Sequence, residues 1–348
     1  MTDAVFAVPG DLETPGGGYV YDRRVLELLP SWGVKACHVA LPPSFPAPTP
    51  RDLAETGRLL GKTPANCSIL VDGLAYGVIP ADLIKGLGRP MVALVHHPLC
   101  LETGHSPQRC AELKASEMAA LALAWRVIVP SSTTARILRS DFAVADEKIT
   151  VAEPGTDPAP RARGSSGPVQ LLAAGSIIPR KGYDVLVRAL DKLPRSTWEL
   201  TIAGATDRSP ETTSALVAQI RRSKCSSSIR LVGALDRRAL DELYSRADLF
   251  VMPSLYEGYG MVLTEALARG LAIVTTNFAA AEERVPDTAA LKVPPGDVDG
   301  LANALDRAIA DAALRKRLAD AAWAAARDLP RWEDTAGAIA GVLKKIVP

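Results

Sequence analysis

Short apolar runs with strand character alternate along this chain with stretches whose apolar residues recur at helical spacing, and that alternation commits it to parallel sheets covered by helices. The runs fall at 5–8, 36–41, 68–72, 91–95, 127–130 and 150–152, and again at 169–173, 199–203, 229–232, 247–252 and 272–276. Helical spacing marks 19–29, 53–60, 81–86, 112–124 and 132–141 in the first series. In the second it marks 184–193, 214–223, 238–247 and 261–269, followed by 301–327 and 333–346. The segment PPSFPAPTP (42–50) is too rich in proline for either element. Between the two series lies PGTDPAPRARGSSGP (154–168), which has no periodicity and reads as a linker. A chain of 348 residues is long enough for two full cores. The expectation is therefore an α/β protein of two doubly wound domains, 1–155 and 169–331, joined by linker 156–168, with a last helix in 332–348.

Charge and cysteine usage narrow the function. Lysine plus arginine number 40 against 39 acidic residues, a net charge of +1, which gives no footprint for nucleic acid. Residues 1–160 carry net −3 and the remainder +4, so an anionic ligand favours the second domain. The first half shows no basic amphipathic helix, which disfavours docking on a membrane surface. The cysteines (Cys37, Cys67, Cys100, Cys110, Cys225) lack metal-ligand spacing and are expected as free thiols, although Cys100 and Cys110 share a loop. The start MTDAVFAVPGD has no charged segment leading into an apolar core, and no apolar run nears the ~20 residues of a spanning helix. The expected compartment is the cytoplasm.

The richest chemistry lies in PSLYEGYGMVLTEALARG (253–270). It follows the apolar run 247–252 and leads into a helix with Val262, Leu263, Ala266 and Leu267 on one face. Gly258 and Gly260 sit at the helix entrance, where backbone bends sharply or comes close to a ligand. A helix start offers free N–H groups and a positive dipole end to a phosphate. Glu257 stands in the loop before it and Glu265 inside it, each able to accept from sugar hydroxyls. Glutamates near a helix start are ordinarily dipole-matching surface charges. The succession strand, Pro-Ser, Glu-Gly-Tyr-Gly, helix, strand resembles the E-x7-E setting of the retaining glycosyltransferases of family 4.

That resemblance implies the GT-B fold, two Rossmann-like domains facing a central cleft, with the final helix crossing back onto the first domain. It implies Glu265 on the ribose hydroxyls, Glu257 on the transferred sugar, and a diphosphate on the N–H groups around Gly260, Met261 and Val262, with Gly258 and Tyr259 alongside. In GSIIPRKGYD (175–184) Lys181 matches the family's Lys-Gly, although a basic pair in a loop is ordinarily solvated surface. Many members carry Arg where this chain has Ser176, and whether Arg180 replaces that charge is open. The loop PGGG (15–18) has no dinucleotide fingerprint and alone is as readily a flexible turn. The family places a Gly-rich loop there against the donor, which selects Gly17 and Gly18. In VALVHHPLCLETGH (92–105) His96, first past the strand, matches a histidine close to the transferred sugar. Glu102 and His105 are candidate acceptor contacts, Asp72 either holds an acceptor hydroxyl or caps a turn, and His96, His97, Glu102 and His105 suit a metal poorly.

The resemblance thus implies a retaining transferase moving a glucose- or mannose-type hexose from a nucleoside diphosphate sugar to an unidentified acceptor. It needs no cofactor and no metal ion. Two alternatives share the architecture: a nucleotide-sugar epimerase, and a relative that binds nucleotide sugars without turnover.

Overall fold

A computed structural model describes residues 2–194 and 197–346. The chain forms two units. One gathers the residues up to Gly155 with those from Pro330 on; the other runs from Thr156 to Leu329. Each contains one six-stranded parallel sheet.

In the first unit the strands are β1 (Thr2–Pro9), β2 (Val34–Leu41), β3 (Ser68–Asp72), β4 (Met91–Leu94), β5 (Arg126–Val129) and β6 (Ile149–Val151), in the order β2-β1-β3-β4-β5-β6. The chain leaves β1 for β2, then returns past β1 to build the rest. That reversal opens a crevice between the carboxyl ends of β1 and β3. β3 and β4 are buried along their whole length, as strands covered by helices on both faces must be. The second unit repeats the scheme with β7 (Val169–Ala174), β8 (Trp198–Ala203), β9 (Ile229–Gly233), β10 (Leu249–Met252), β11 (Ala272–Thr276) and β12 (Ala290–Val293), ordered β12-β11-β10-β7-β8-β9. Its reversal lies between β7 and β10.

Several expectations change in detail. The strand β12 was not foreseen: ALKV is four residues long and carries Lys292, which pairs with Asp287 at 2.7 Å. The stretch 301–327 is broken. Helix Val298–Ala310 ends at Asp311, whose side chain accepts the Leu314 N–H and starts helix Ala312–Ala325. The helix expected at 112–124 begins earlier, at Pro107, because Ser106 caps it and proline suits a first turn. Residues 156–168 hold no helix or strand but are tied to the second unit: Ala162 N–H bonds Arg269 O and Arg163 N–H bonds Ser245 O, both at 2.8 Å, and Ser165 Oγ donates to Asp248 at 2.6 Å. The five cysteines are free.

Helix Trp332–Leu343 belongs to the first unit. Trp332 packs edge-on against Tyr21 with ring centroids 5.8 Å apart, and Ser68 Oγ donates to Leu343 O at 3.0 Å. A Cβ on Gly155 would lie 2.1 Å from the Trp332 nitrogen, so only glycine fits where the chain passes this helix. No helix among the described residues is long and apolar enough to cross a membrane.

One buried carboxyl in the first unit stands outside any ion pair among the described residues. Glu117, fully buried on helix Pro107–Leu123, accepts the Leu99 N–H at 3.0 Å through Oε2, while Oε1 has no partner. Burial pushes its carboxyl up to about 8, offset in part by that backbone hydrogen bond. The folded chain therefore holds a proton that the unfolded chain releases near its ordinary value, and stability falls as pH rises between the two. In Glu117→Gln this slope disappears. Melting temperatures of variant and wild type, followed by calorimetry from pH 5 to 9, should diverge in the variant's favour with rising pH; parallel curves would show that Glu117 is ionised throughout.

Candidate active site

The second unit assembles its polar groups at the β7–β10 crevice. After β7 the chain passes Gly175, makes a short 3₁₀ turn at Pro179–Lys181, and enters helix Tyr183–Leu190 through Gly182 at φ +64°. A Cβ on Gly182 would lie 2.2 Å from the Pro253 carbonyl, so the loops after β7 and β10 meet at a contact only glycine permits. Leu255 N–H donates to Arg180 O at 2.7 Å across the same seam.

This contact sets Glu257 between two cations. Lys181 Nζ stands 2.5 Å and Arg180 Nη1 2.9 Å from Glu257 Oε1, and Ser254 Oγ donates to the same oxygen at 3.1 Å. Oε2 takes no hydrogen bond from the described residues. Glu257 is 7% exposed and Lys181 9%. Burial opposes the carboxylate's charge, but Lys181 and then Arg180 outweigh it and hold the carboxyl down to about 2. The question left open at Ser176 has a geometric answer in part: Arg180 turns inward, to Glu257 and to the Tyr256 carbonyl.

Helix Met261–Ala268 starts at Gly260, whose φ of +83° is a conformation that L side chains rarely adopt. Met261 and Val262 open the helix, where N–H groups lack intrahelical partners. Tyr259 is 5% exposed, with Arg284 lying 5.4 Å from its ring centre, so its ring is structural and its backbone is what it can offer a ligand. Gly258 lies beside it in the same loop. Glu265 is already engaged on both oxygens. Arg237 Nη1 stands 3.0 Å from Oε1, and Tyr244 OH donates to Oε2 at 2.9 Å. Neither partner was singled out from the sequence. Their signal is the spacing of Arg237, Asp241 and Tyr244 along one face of helix Arg237–Arg246.

In the first unit, helix Gly17–Leu28 turns Gly18, Tyr21 and Asp22 toward one ring, that of His96. A Cβ on Gly18 would lie 3.2 Å from His96 Cδ2, so this glycine is small because the imidazole sits against it. Gly17 is the first residue of the helix. Tyr21 meets the ring edge-on at 5.1 Å. His96 Nε2 lies 3.1 Å from Asp22 Oδ1 and 3.4 Å from Asp72 Oδ2, both carboxylates being buried. Asp72 also caps the following turn by accepting the Leu74 N–H at 2.9 Å. Asp22 went unnoticed in the sequence, and its signal is the i, i+3, i+4 spacing of Gly18, Tyr21 and Asp22. His97 turns away from this group to Glu102 at 3.4 Å. The loop histidines and Glu102 are therefore not gathered. Among the described residues the group whose atoms come close enough to hold an ion is instead Asp22, Asp72 and His96.

Two family models match this chain: Glycosyltransferase Family 4 over residues 14–160 and Glycosyl transferases group 1 over 159–324. The chain belongs to glycosyltransferase family 4. It is 36% identical over 182 residues to a glycogen synthase of Mycobacterium tuberculosis, a match covering 50% of this chain and 43% of that protein. It therefore spans less than half the length of that relative. It is 26% identical over 344 residues to the MMP alpha-(1→4)-mannosyltransferase of Mycolicibacterium hassiacum, covering 92% of this chain and 78% of that one. Among solved structures the sucrose-phosphate synthase of Thermosynechococcus elongatus superposes with TM-score 0.83 at 22% identity, over 98% of each chain. Anabaena HepE in complex with UDP-glucose superposes with TM-score 0.78 at 18% identity, over 98% of this chain and 99% of that one. These likenesses establish the GT-B fold for this family-4 chain.

Burial opposes a charge on His96, but the Asp22 and Asp72 carboxylates outweigh it and raise the imidazole above its ordinary value. Burial likewise pushes Asp22 up, with His96 pulling it back. The chain has 4 histidines, so ring Cε1 resonances can be assigned by substitution. In a pH titration by NMR, the His96 ring should hold its proton to higher pH than a free imidazole, and Asp22→Asn should lower its midpoint. An unchanged midpoint in the variant would separate the ring from Asp22.

Proposed function

We propose that this chain transfers a glucose- or mannose-type hexose from a nucleoside diphosphate sugar to an acceptor hydroxyl, retaining the anomeric configuration and using no metal ion. The observation that carries the reading is Glu257, held ionised by Lys181 and Arg180 beside a helix start with Glu265 inside it. The names of the relatives, a glycogen synthase and a mannosyltransferase, support a hexosyl donor.

The donor's diphosphate is assigned to Lys181, Arg180 and the N–H groups of Met261 and Val262. Lysine serves as a point charge and arginine as a fork. Glu257 Oε2 accepts from a hydroxyl of the transferred sugar, and Glu265 accepts from the ribose. His96 is kept as the first unit's candidate contact to a sugar hydroxyl. As the bond from the anomeric carbon to the diphosphate oxygen breaks, negative charge builds on that oxygen beside the two cations, where fixed charges lower the barrier most. The acceptor oxygen bonds the anomeric carbon on the same face, and its proton passes to the departing diphosphate. No protein base is required, and a His96 kept protonated by two carboxylates is not one.

Lysine and arginine should separate by ligand. Lys181→Ala should weaken a nucleoside diphosphate about ten- to a hundredfold, the worth of a charge-assisted hydrogen bond, and the bare nucleoside hardly at all. Arg180→Ala measured alongside decides whether it replaces the charge missing at Ser176; equal losses for nucleoside and diphosphate in both variants would remove the clamp.

The reaction itself is tested by incubating the protein with a panel of nucleotide sugars after exhaustive chelation and assaying nucleoside diphosphate release. Wild type should turn over at least one donor without metal and leave the product in the donor's anomeric configuration. Glu257→Ala should keep nucleotide affinity while losing turnover. Activity that returned only with Mg²⁺ or Mn²⁺ would overturn metal independence and direct attention to Asp22, Asp72 and His96.

A further inference from the structure

We propose that Arg237 reads the donor's nucleobase and selects bases that carry an exocyclic keto oxygen where the alternative base carries an amino group. The inference rests on the assignment of Glu265 to the ribose, and names what lies next to it.

The carboxyl edge of the second sheet offers a row of groups. Lys181, Arg180 and Glu257 stand at the ends of β7 and β10, the start of helix Met261–Ala268 follows, and Glu265 lies about one turn inside that helix. A ligand laid from the diphosphate site to Glu265 continues toward the helix Arg237–Arg246, which begins just past the end of β9. Arg237 Nη1 touches Glu265 Oε1 at 3.0 Å, so a ribose hydroxyl bonded to that oxygen lies within a few ångströms of the guanidinium. The base is joined to the carbon next to the ribose 2′-hydroxyl, and its far edge, which carries the substituent that differs, can meet a guanidinium that extends beyond Glu265.

Arg237 is half exposed, and two further observations favour a base against it. Arg237 is anchored on two sides, by Glu265 through Nη1 and by Asp241 through Nε at 3.1 Å, whereas Nη2 bonds none of the described residues. The fork is therefore oriented before any ligand arrives, with one amino group left to donate. Beside it, β9 ends in Gly233 at φ +74°, where a Cβ would meet nothing within 4 Å, and Ala234 after it is exposed. A glycine and an alanine at the end of an outermost strand leave a low, open ledge on which a planar ring can lie.

The selectivity follows from the chemistry of the side chain. Guanidinium has only donors and no acceptor. A keto oxygen accepts from it. An amino group at the same place faces it donor to donor, and both groups lose their water without gaining a partner. Uracil and hypoxanthine present the oxygen, while cytosine and adenine present the amino group, and within each pair the ring size is the same.

Calorimetric titration of the whole protein with UDP against CDP, and with IDP against ADP, tests this directly. In the pair of ring size that binds more tightly, the keto member should bind about tenfold or more tighter in wild type, in line with one arginine-to-base contact. Arg237→Ala should bring that ratio to within about twofold by weakening the keto member, since the loss is confined to one contact. If Arg237→Ala weakens both members by the same factor, or wild type shows no preference, the arginine acts only through Glu265 and the inference is wrong. Glu265→Ala isolates the underlying assignment. It should weaken all four nucleotides and preserve the keto preference; if it changes none of them, the ribose reading itself fails, whatever Arg237 does.

Discussion

Parallel pairing is the constraint on which the rest of this structure depends. A parallel strand can be followed by its neighbour only after a crossover, so every strand of a sheet delivers its carboxyl end to one edge. Where the winding reverses, two of those ends part and leave a crevice. Both units reverse once, between β1 and β3 and between β7 and β10, and the ionisable groups collect at those points. Asp72 ends β3 and His96 follows β4 in one unit; Lys181 and Glu257 follow β7 and β10 in the other.

At each crevice glycine decides how close the groups come. Gly182 lets the loops after β7 and β10 touch, and Lys181 and Arg180 arrive at Glu257 because of it. Gly18 lets His96 rest on the first turn of its helix, which brings the ring to Asp22. Backbone permissiveness and electrostatics are thus coupled. A side chain at Gly182 would part the charges, one at Gly18 would press the His96 ring aside, and a buried carboxylate without its partner is costly.

The two carboxylates of the E-x7-E pair end in different environments. Glu257 is almost wholly buried and held by cations that can share a diphosphate. Glu265 is more open and tied to Arg237 and Tyr244, which orient it without closing it off. The proposed function puts the reacting end of a donor at the first and its nucleoside end at the second, on the strength of that difference in surroundings.

The sequence by itself determined the α/β class, the number of units and most of the strands, and it singled out Glu257, Glu265, Lys181 and His96 as candidates. Those features are local, since strand and helix period, a proline-rich break and a motif are all written in neighbouring residues. What it missed was also local but weak: β12 is four residues long, and Asp311 divides a continuous helical pattern by a single cap. Only the tertiary structure decided which groups meet. Asp22 reaches His96 from 74 residues away, and Arg237 reaches Glu265 from 28. It also decided that Arg180 turns inward to Glu257, that the Tyr259 ring is buried, and that His96 joins two aspartates rather than its neighbour His97. Such pairings depend on strand order and on which face of a helix meets the sheet, and the residues on either side of a given position do not encode them.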